Sequence, residues 1–125
     1  MDEDGLSREI IGAAIEVHRH LGPGLLESAY EGCLAHEFSQ RGFPFERQKT
    51  LPVEYKGAKV DCGFRLDFFV GGSVVVEVKA VEELAPIHTA QMLTYLRLAG
   101  CKLGMILNFN ERRMADGIKR VVLKL

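Results

Sequence analysis

Two charged residues interrupt one of the most apolar stretches of the chain, Val74-Val75-Val76-Glu77-Val78-Lys79. Such a run reads as a buried central strand, where a charge is costly unless it is paired or bound to a cation. Residues two apart on a strand share a face, so Glu77 and Lys79 point one way and Val76 and Val78 the other. Taken alone, the pattern also fits a strand end that emerges into solvent with a simple ion pair. A second interruption lies one hairpin upstream: Asp67, in Phe64-Arg65-Leu66-Asp67-Phe68-Phe69-Val70. Register decides whether the two carboxylates meet. A two-residue Gly71-Gly72 turn pairs Val70 with Ser73 and sets Asp67 opposite Val76. A three-residue loop, Gly71-Gly72-Ser73, pairs Val70 with Val74 and Asp67 with Glu77. Only the second register explains both acids together.

Opposed carboxylates raise each other's pKa and are stable as ions only with a cation between them. Oxygen ligation in a site open to water suits Mg²⁺ or Mn²⁺ better than zinc. Lys79, on the same face, would place positive charge where a scissile phosphate or an attacking water must lie. The predicted chemistry is metal-assisted hydrolysis of a phosphodiester.

The flanking sequence predicts what carries this strand pair. Ser7 is an N-cap candidate, with residues 1–6 a loose polar end. Ile10, Ala14, Val17 and Leu21 then form one helical stripe that Gly22-Pro23-Gly24 must stop. A second helix is expected from about Leu25 to Arg41, with Leu26, Tyr30, Cys33 or Leu34, and Phe38 inward and Gly42 as its stop. Strands are expected at 49–55, 59–70 and 73–81, then a helix from Pro86 to about Ala99. A buried strand follows at 103–109, and the tail from Ile118 leans to a strand. The order predicts one α/β domain, with a mixed four- to five-stranded central sheet flanked by helices.

Composition excludes several classes. Sixteen Lys and Arg against seventeen Asp and Glu leave a net charge of -1, unlike a strongly basic nucleic-acid coat or a polybasic membrane binder. No apolar run approaches the roughly 20 residues needed to span a bilayer. Three scattered cysteines, Cys33, Cys62 and Cys101, have no metal-ligand spacing and read as buried free thiols in a reducing compartment, so a cytoplasmic location is expected.

Asp67 followed by Glu77-Val78-Lys79 resembles the bipartite signature of the PD-(D/E)XK nuclease superfamily. Gly24-Leu25-Leu26-Glu27-Ser28-Ala29-Tyr30 resembles the motif of the GxxExxY family, a branch of it. The likeness runs from about Ile10 to Val122 and takes in Leu21 to Gly24, Gln91 with Tyr95-Leu96, and Asn108-Phe109. It implies a restriction-endonuclease-like core, Asp67 and Glu77 as metal ligands, Lys79 as the catalytic lysine, and Glu27 completing the acidic cluster. It also implies that the helix of Gln91 and Tyr95 lines the site. Leu66 stands where the superfamily's name has proline.

His88, Gln91 and Tyr95 share a helix face by spacing, and that polar stripe faces either a polar site or solvent. Glu27 reads otherwise as a helix-start acid favoured by the macrodipole. His18, near the glycine-proline corner, is either a packed, hydrogen-bonded histidine or a group that orients Glu27 or touches phosphate. Tyr30 joins His18, His88 and Tyr95 as a substrate-lining candidate, and Asp61 is held as a reserve ligand. The leading expectation is a Mg²⁺- or Mn²⁺-dependent nuclease acting on DNA or RNA, with a homodimer supplying two clefts. The alternatives are a catalytically weak nuclease scaffold that grips nucleic acid or a protein, and a two-carboxylate glycosidase. The last has no use for Lys79 and finds no Trp to stack on a sugar.

Overall fold

The computed structural model describes residues 1–61 and 63–124. Helices α1 (Glu3–Leu21) and α2 (Glu27–Arg41) precede strand β1 (Phe45–Thr50) and a small hairpin of β2 (Val53–Tyr55) and β3 (Ala58–Val60). Then come β4 (Arg65–Val70), β5 (Val74–Lys79), α3 (Pro86–Ala99), β6 (Leu103–Asn108), a 3-10 turn at Met114–Gly117, and β7 (Ile118–Val122). The main sheet has the order β1-β4-β5-β6-β7. Only β5 and β6 run parallel, joined through α3; the other pairs are antiparallel. The mixed four- to five-stranded α/β sheet expected from the sequence is therefore present, with five strands.

Two apolar layers sandwich this sheet. On one face α1 and α2 bring Ile10, Val17, Tyr30, Leu34 and Phe38 against Phe68, Val76 and Val78. On the other, Met92 and Leu96 of α3 cover Leu66, Val75 and Ile106. Burial on both faces is why β5 and β6 read as near-continuous apolar runs. Packing is close at Gly104, where a Cβ would collide with Met92, so α3 lies close on β6.

Several local expectations are corrected. Helix α1 starts at Glu3, capped by Asp2, whose Oδ1 accepts the Gly5 N–H at 2.7 Å. Ser7 is not a cap but a buried residue whose hydroxyl meets the Met105 sulfur at 3.5 Å. Leu6, only 3% exposed, anchors this first turn in the core. Leu26 is the exposed N-cap of α2 rather than part of its inward stripe, where Leu34 is buried and Cys33 is not. The thiols also depart from a buried pattern: Cys33 is exposed and Cys101 half-buried, both free, while Cys62 lies outside the described residues. The expected strand at 49–55 straddles the end of β1 and all of β2, because Pro52 has no N–H to continue a ladder. Residues 59–70 likewise divide into β3 and β4 across Gly63, which is left-handed at φ 70°. Among the described residues no helix is long and apolar enough to cross a membrane.

Candidate active site

The β4–β5 hairpin has the three-residue loop. Val70 pairs with Val74, Phe69 with Val75 and Phe68 with Val76, so the register brings Asp67 and Glu77 together. At that point the carboxylates take over from the backbone ladder. The Asp67 N–H donates to Glu77 Oε2 at 2.8 Å, and the Val78 N–H donates to Asp67 Oδ2 at 2.8 Å. Each acid thus has one oxygen fixed by a backbone donor, which orients the other.

Strand β4 also loses its alternation here. Leu66 and Phe68 are two apart, yet Leu66 packs in the α3 layer and Phe68 in the α1–α2 layer. The chain therefore twists at Asp67, between them. Across the β1–β4 ladder, the pairing passes from Arg47–Phe68 to Lys49–Leu66 and skips the Gln48 position. Gln48 has φ 53°, a left-handed backbone that side chains other than glycine, asparagine and aspartate rarely adopt. Its side-chain Nε2 lies 2.7 Å from Glu31 Oε1 and 3.3 Å from Asp67 Oδ1. Arg47 Nε bonds the other Glu31 oxygen at 2.8 Å.

Charge in this cluster is only partly compensated. Burial, and then the nearby Asp67, push the Glu77 carboxyl up to about 8. Asp67 is also raised, by burial foremost, although the Val78 N–H bond pulls the other way. Glu31 raises both acids and Lys79 lowers both. Tyr95 is within range of the charge of the same pair. Burial and the charges of Glu77 and Asp67 push its hydroxyl to about 12, so it stays a hydrogen-bond donor. Its ring packs on Phe64 with centroids 4.4 Å apart. Lys79 is half-buried at the end of β5 and forms no ion pair among the described residues.

The other sequence candidates fall in different places. Glu27, in the first turn of α2, is exposed, and the helix charge acting on Asp67 and Glu77 is that of Glu31, one turn later. Tyr30 is fully buried: it stacks on Phe109 at 4.7 Å, and its hydroxyl donates to the Gly22 carbonyl at 2.6 Å and accepts from the Leu25 N–H at 3.1 Å. It ties down the Gly22-Pro23-Gly24 corner. His18 Nε2 lies 2.7 Å from the Glu111 carbonyl, joining α1 to the segment after β6. His88 Nδ1 accepts the Ala85 N–H at 2.9 Å and so helps start α3. Gln91 is exposed on α3, and Asp61 is exposed near Gly63, whose N–H it accepts at 3.3 Å.

The sequence reading missed the roles of three residues, although Asn108 lies within the family likeness. Glu31 was in view through its spacing, four after Glu27 on one helix face. Gln48 gave no signal, because its role depends on a twist in the neighbouring strand. Asn108, fully buried, accepts from the Val81 and Asn110 N–H groups and donates to the Val81 carbonyl. It thereby fixes the chain as it leaves Lys79.

The donor set fits a hard divalent cation. It offers two adjacent carboxylates, each with one oxygen not spent on the backbone, in a site short of positive charge. Among the described residues no three His, Cys, Asp or Glu side chains are grouped closely enough to hold a metal. A Mg²⁺-like ion, which keeps several waters and takes one or two carboxylates, has no need of a third.

No curated protein and no solved structure matches the chain. The family model for the PD-(D/E)XK nuclease superfamily matches residues 4–121, which spans the acid pair, Lys79 and every strand bar the last residue of β7. With that match over nearly its whole length, the chain belongs to the PD-(D/E)XK nuclease superfamily.

Proposed function

We propose that this protein is a divalent-cation-dependent nuclease, within the GxxExxY branch to which Gly24, Glu27 and Tyr30 point. One observation carries the reading: Asp67 and Glu77 are juxtaposed in the sheet, burial and Asp67 raise the Glu77 carboxyl, and among the described residues Lys79 is the cation that lowers both acids. Two buried carboxyl groups that cannot both ionise without a counter-charge are a liability for folding, and such a pair points to a site that binds a cation.

Asp67 and Glu77 would hold Mg²⁺ or Mn²⁺, which supplies Lewis-acid polarisation of the phosphoryl group and a more acidic water. The protein's own groups do the rest. The Asp67 and Val78 N–H bonds hold the two carboxylates in orientation. The Lys79 ammonium stabilises negative charge on the phosphoryl oxygens as water adds to phosphorus and the ester oxygen leaves. Tyr95 presents a protonated hydroxyl beside the acids. Gln91, one turn earlier on that face of α3, is the candidate to orient the water, and Glu27 adds negative charge one turn beyond Glu31 on α2. Nucleic acid, DNA or RNA, is the substrate class. With a net charge of -1, a homodimer would enlarge the phosphate-binding surface. The free cysteines suit a reducing cytoplasm. Among the described residues no third carboxylate clusters with the pair, which favours a second reading, a scaffold that binds nucleic acid with little turnover.

The test combines Mn²⁺ calorimetry on wild type and Asp67→Ala with cleavage assays on plasmid and RNA. The nuclease reading expects metal binding that Asp67→Ala abolishes, and cleavage that Lys79→Ala abolishes. Cleavage unchanged in Lys79→Ala rejects it. Nucleic-acid binding without metal-dependent cleavage selects the scaffold.

A further inference from the structure

We propose that Gln48 is a positioning residue of this site: its carboxamide joins Asp67 on the sheet to Glu31 on α2 and so orients the Asp67 carboxylate for the cation. The inference rests on the metal-site reading above and extends it to groups outside the D…ExK signature.

Three independent features meet at this residue. The β1–β4 ladder skips Gln48, and the alternation of β4 breaks at Asp67 beside it. Its backbone is left-handed at φ 53°, where glycine would sit without strain. Its Nε2 reaches Glu31 at 2.7 Å and Asp67 at 3.3 Å. A strained non-glycine backbone at a functional site calls for a reason in the side chain, and here the side chain has one. A carboxamide offers two N–H donors and no charge. It can draw two carboxylates together without neutralising them. An Arg or Lys in its place would add a positive charge that competes with a cation for the carboxylates, and a Glu would add a further repulsion. Arg47 holds the far oxygen of Glu31 at 2.8 Å, so Glu31 is oriented from both sides with one edge left for Gln48.

The experiment measures Mn²⁺ affinity by calorimetry and melting temperature in EDTA, for wild type, Gln48→Ala, Gln48→Gly, Glu31→Ala and the double variant Glu31→Ala with Gln48→Ala. Loss of an outer contact to a metal ligand weakens affinity by about 10- to 100-fold. Gln48→Ala and Gln48→Gly should both do so, while Gln48→Gly melts no lower than wild type because its backbone is relaxed. The double variant should lose less affinity than the product of the single losses, since both act through one bridge. Unchanged affinity in Gln48→Ala and Gln48→Gly overturns the proposal. So do multiplicative losses in the double variant, and so does a wild type that binds no Mn²⁺. A wild type that binds Mn²⁺ through Gln48 but cuts no nucleic acid would reject the nuclease reading and leave this one intact.

Discussion

Glu77→Gln preserves the shape of the side chain and an oxygen to accept the Asp67 N–H, and it removes the charge. In the wild type without metal, the folded Glu77 carboxyl titrates at about 8, against an ordinary 4.5 in the unfolded chain. Below pH 4.5 both states are protonated and the group costs nothing. Between pH 4.5 and 8 the unfolded chain releases the proton while the folded protein retains it, so wild-type stability falls as pH rises, by about 1.4 kcal/mol per pH unit. At pH 7 the accumulated cost is about 3 kcal/mol. For a domain of this length that corresponds to roughly 10 °C in melting temperature. In EDTA, Glu77→Gln should therefore melt above wild type at pH 7, with the gap closing towards pH 4.5. Adding Mn²⁺ should raise the wild-type melting temperature by mass action and leave the variant unmoved. Differential scanning fluorimetry from pH 4.5 to 8, with and without metal, reads all of this. A variant less stable than wild type at pH 7, or a gap independent of pH, would refute the assignment of a destabilising, cation-seeking carboxylate at this position.

Further outcomes follow from the same geometry. Lys79→Met should cut cleavage by about 10²-fold or more, the scale on which a charge aimed at a developing oxyanion acts, while calorimetry still detects metal. Asn108→Ala leaves the Val81 N–H and carbonyl without their buried partner and should cost about 2 to 3 kcal/mol in chemical denaturation. Gly117→Ala drives a Cβ into the Asn108 carbonyl, backbone that cannot yield cheaply, and should cost about 1 to 3 kcal/mol in the same measurement. Cys33 is exposed, whereas burial pushes the half-buried Cys101 thiol up to about 11. Peptide mapping after brief alkylation at pH 8 should find Cys33 modified well ahead of Cys101.

Much of the sheet was legible because its signals are local. The apolar runs of β5 and β6, the Pro86 start and Gly100 stop of α3, and the two registers open to the β4–β5 hairpin all follow from a few adjacent residues. Strand β1 was not legible. It is an edge strand whose Glu46-Arg47-Gln48-Lys49 shows no apolar alternation, and charged edges of this kind deter pairing with other chains. The start of α1 was misplaced because Leu6 earns its position only by packing into the core. Residues chosen for polarity and spacing divided by burial. Tyr95 feels the charge of the acids, whereas Tyr30 and His18 became hydrogen-bonded struts.

The amino-acid sequence by itself determined that two acids and a lysine would lie on neighbouring strands, since a short glycine turn joins the two apolar runs that carry them. Which register joined them, which helix acid stands over them, and that a glutamine ties sheet to helix were decided by the tertiary structure. The physical reason is that the twist at Asp67, the left-handed backbone of Gln48 and the placement of Glu31 each depend on how α2 packs across β1, β4 and β5. No window of consecutive residues contains that contact.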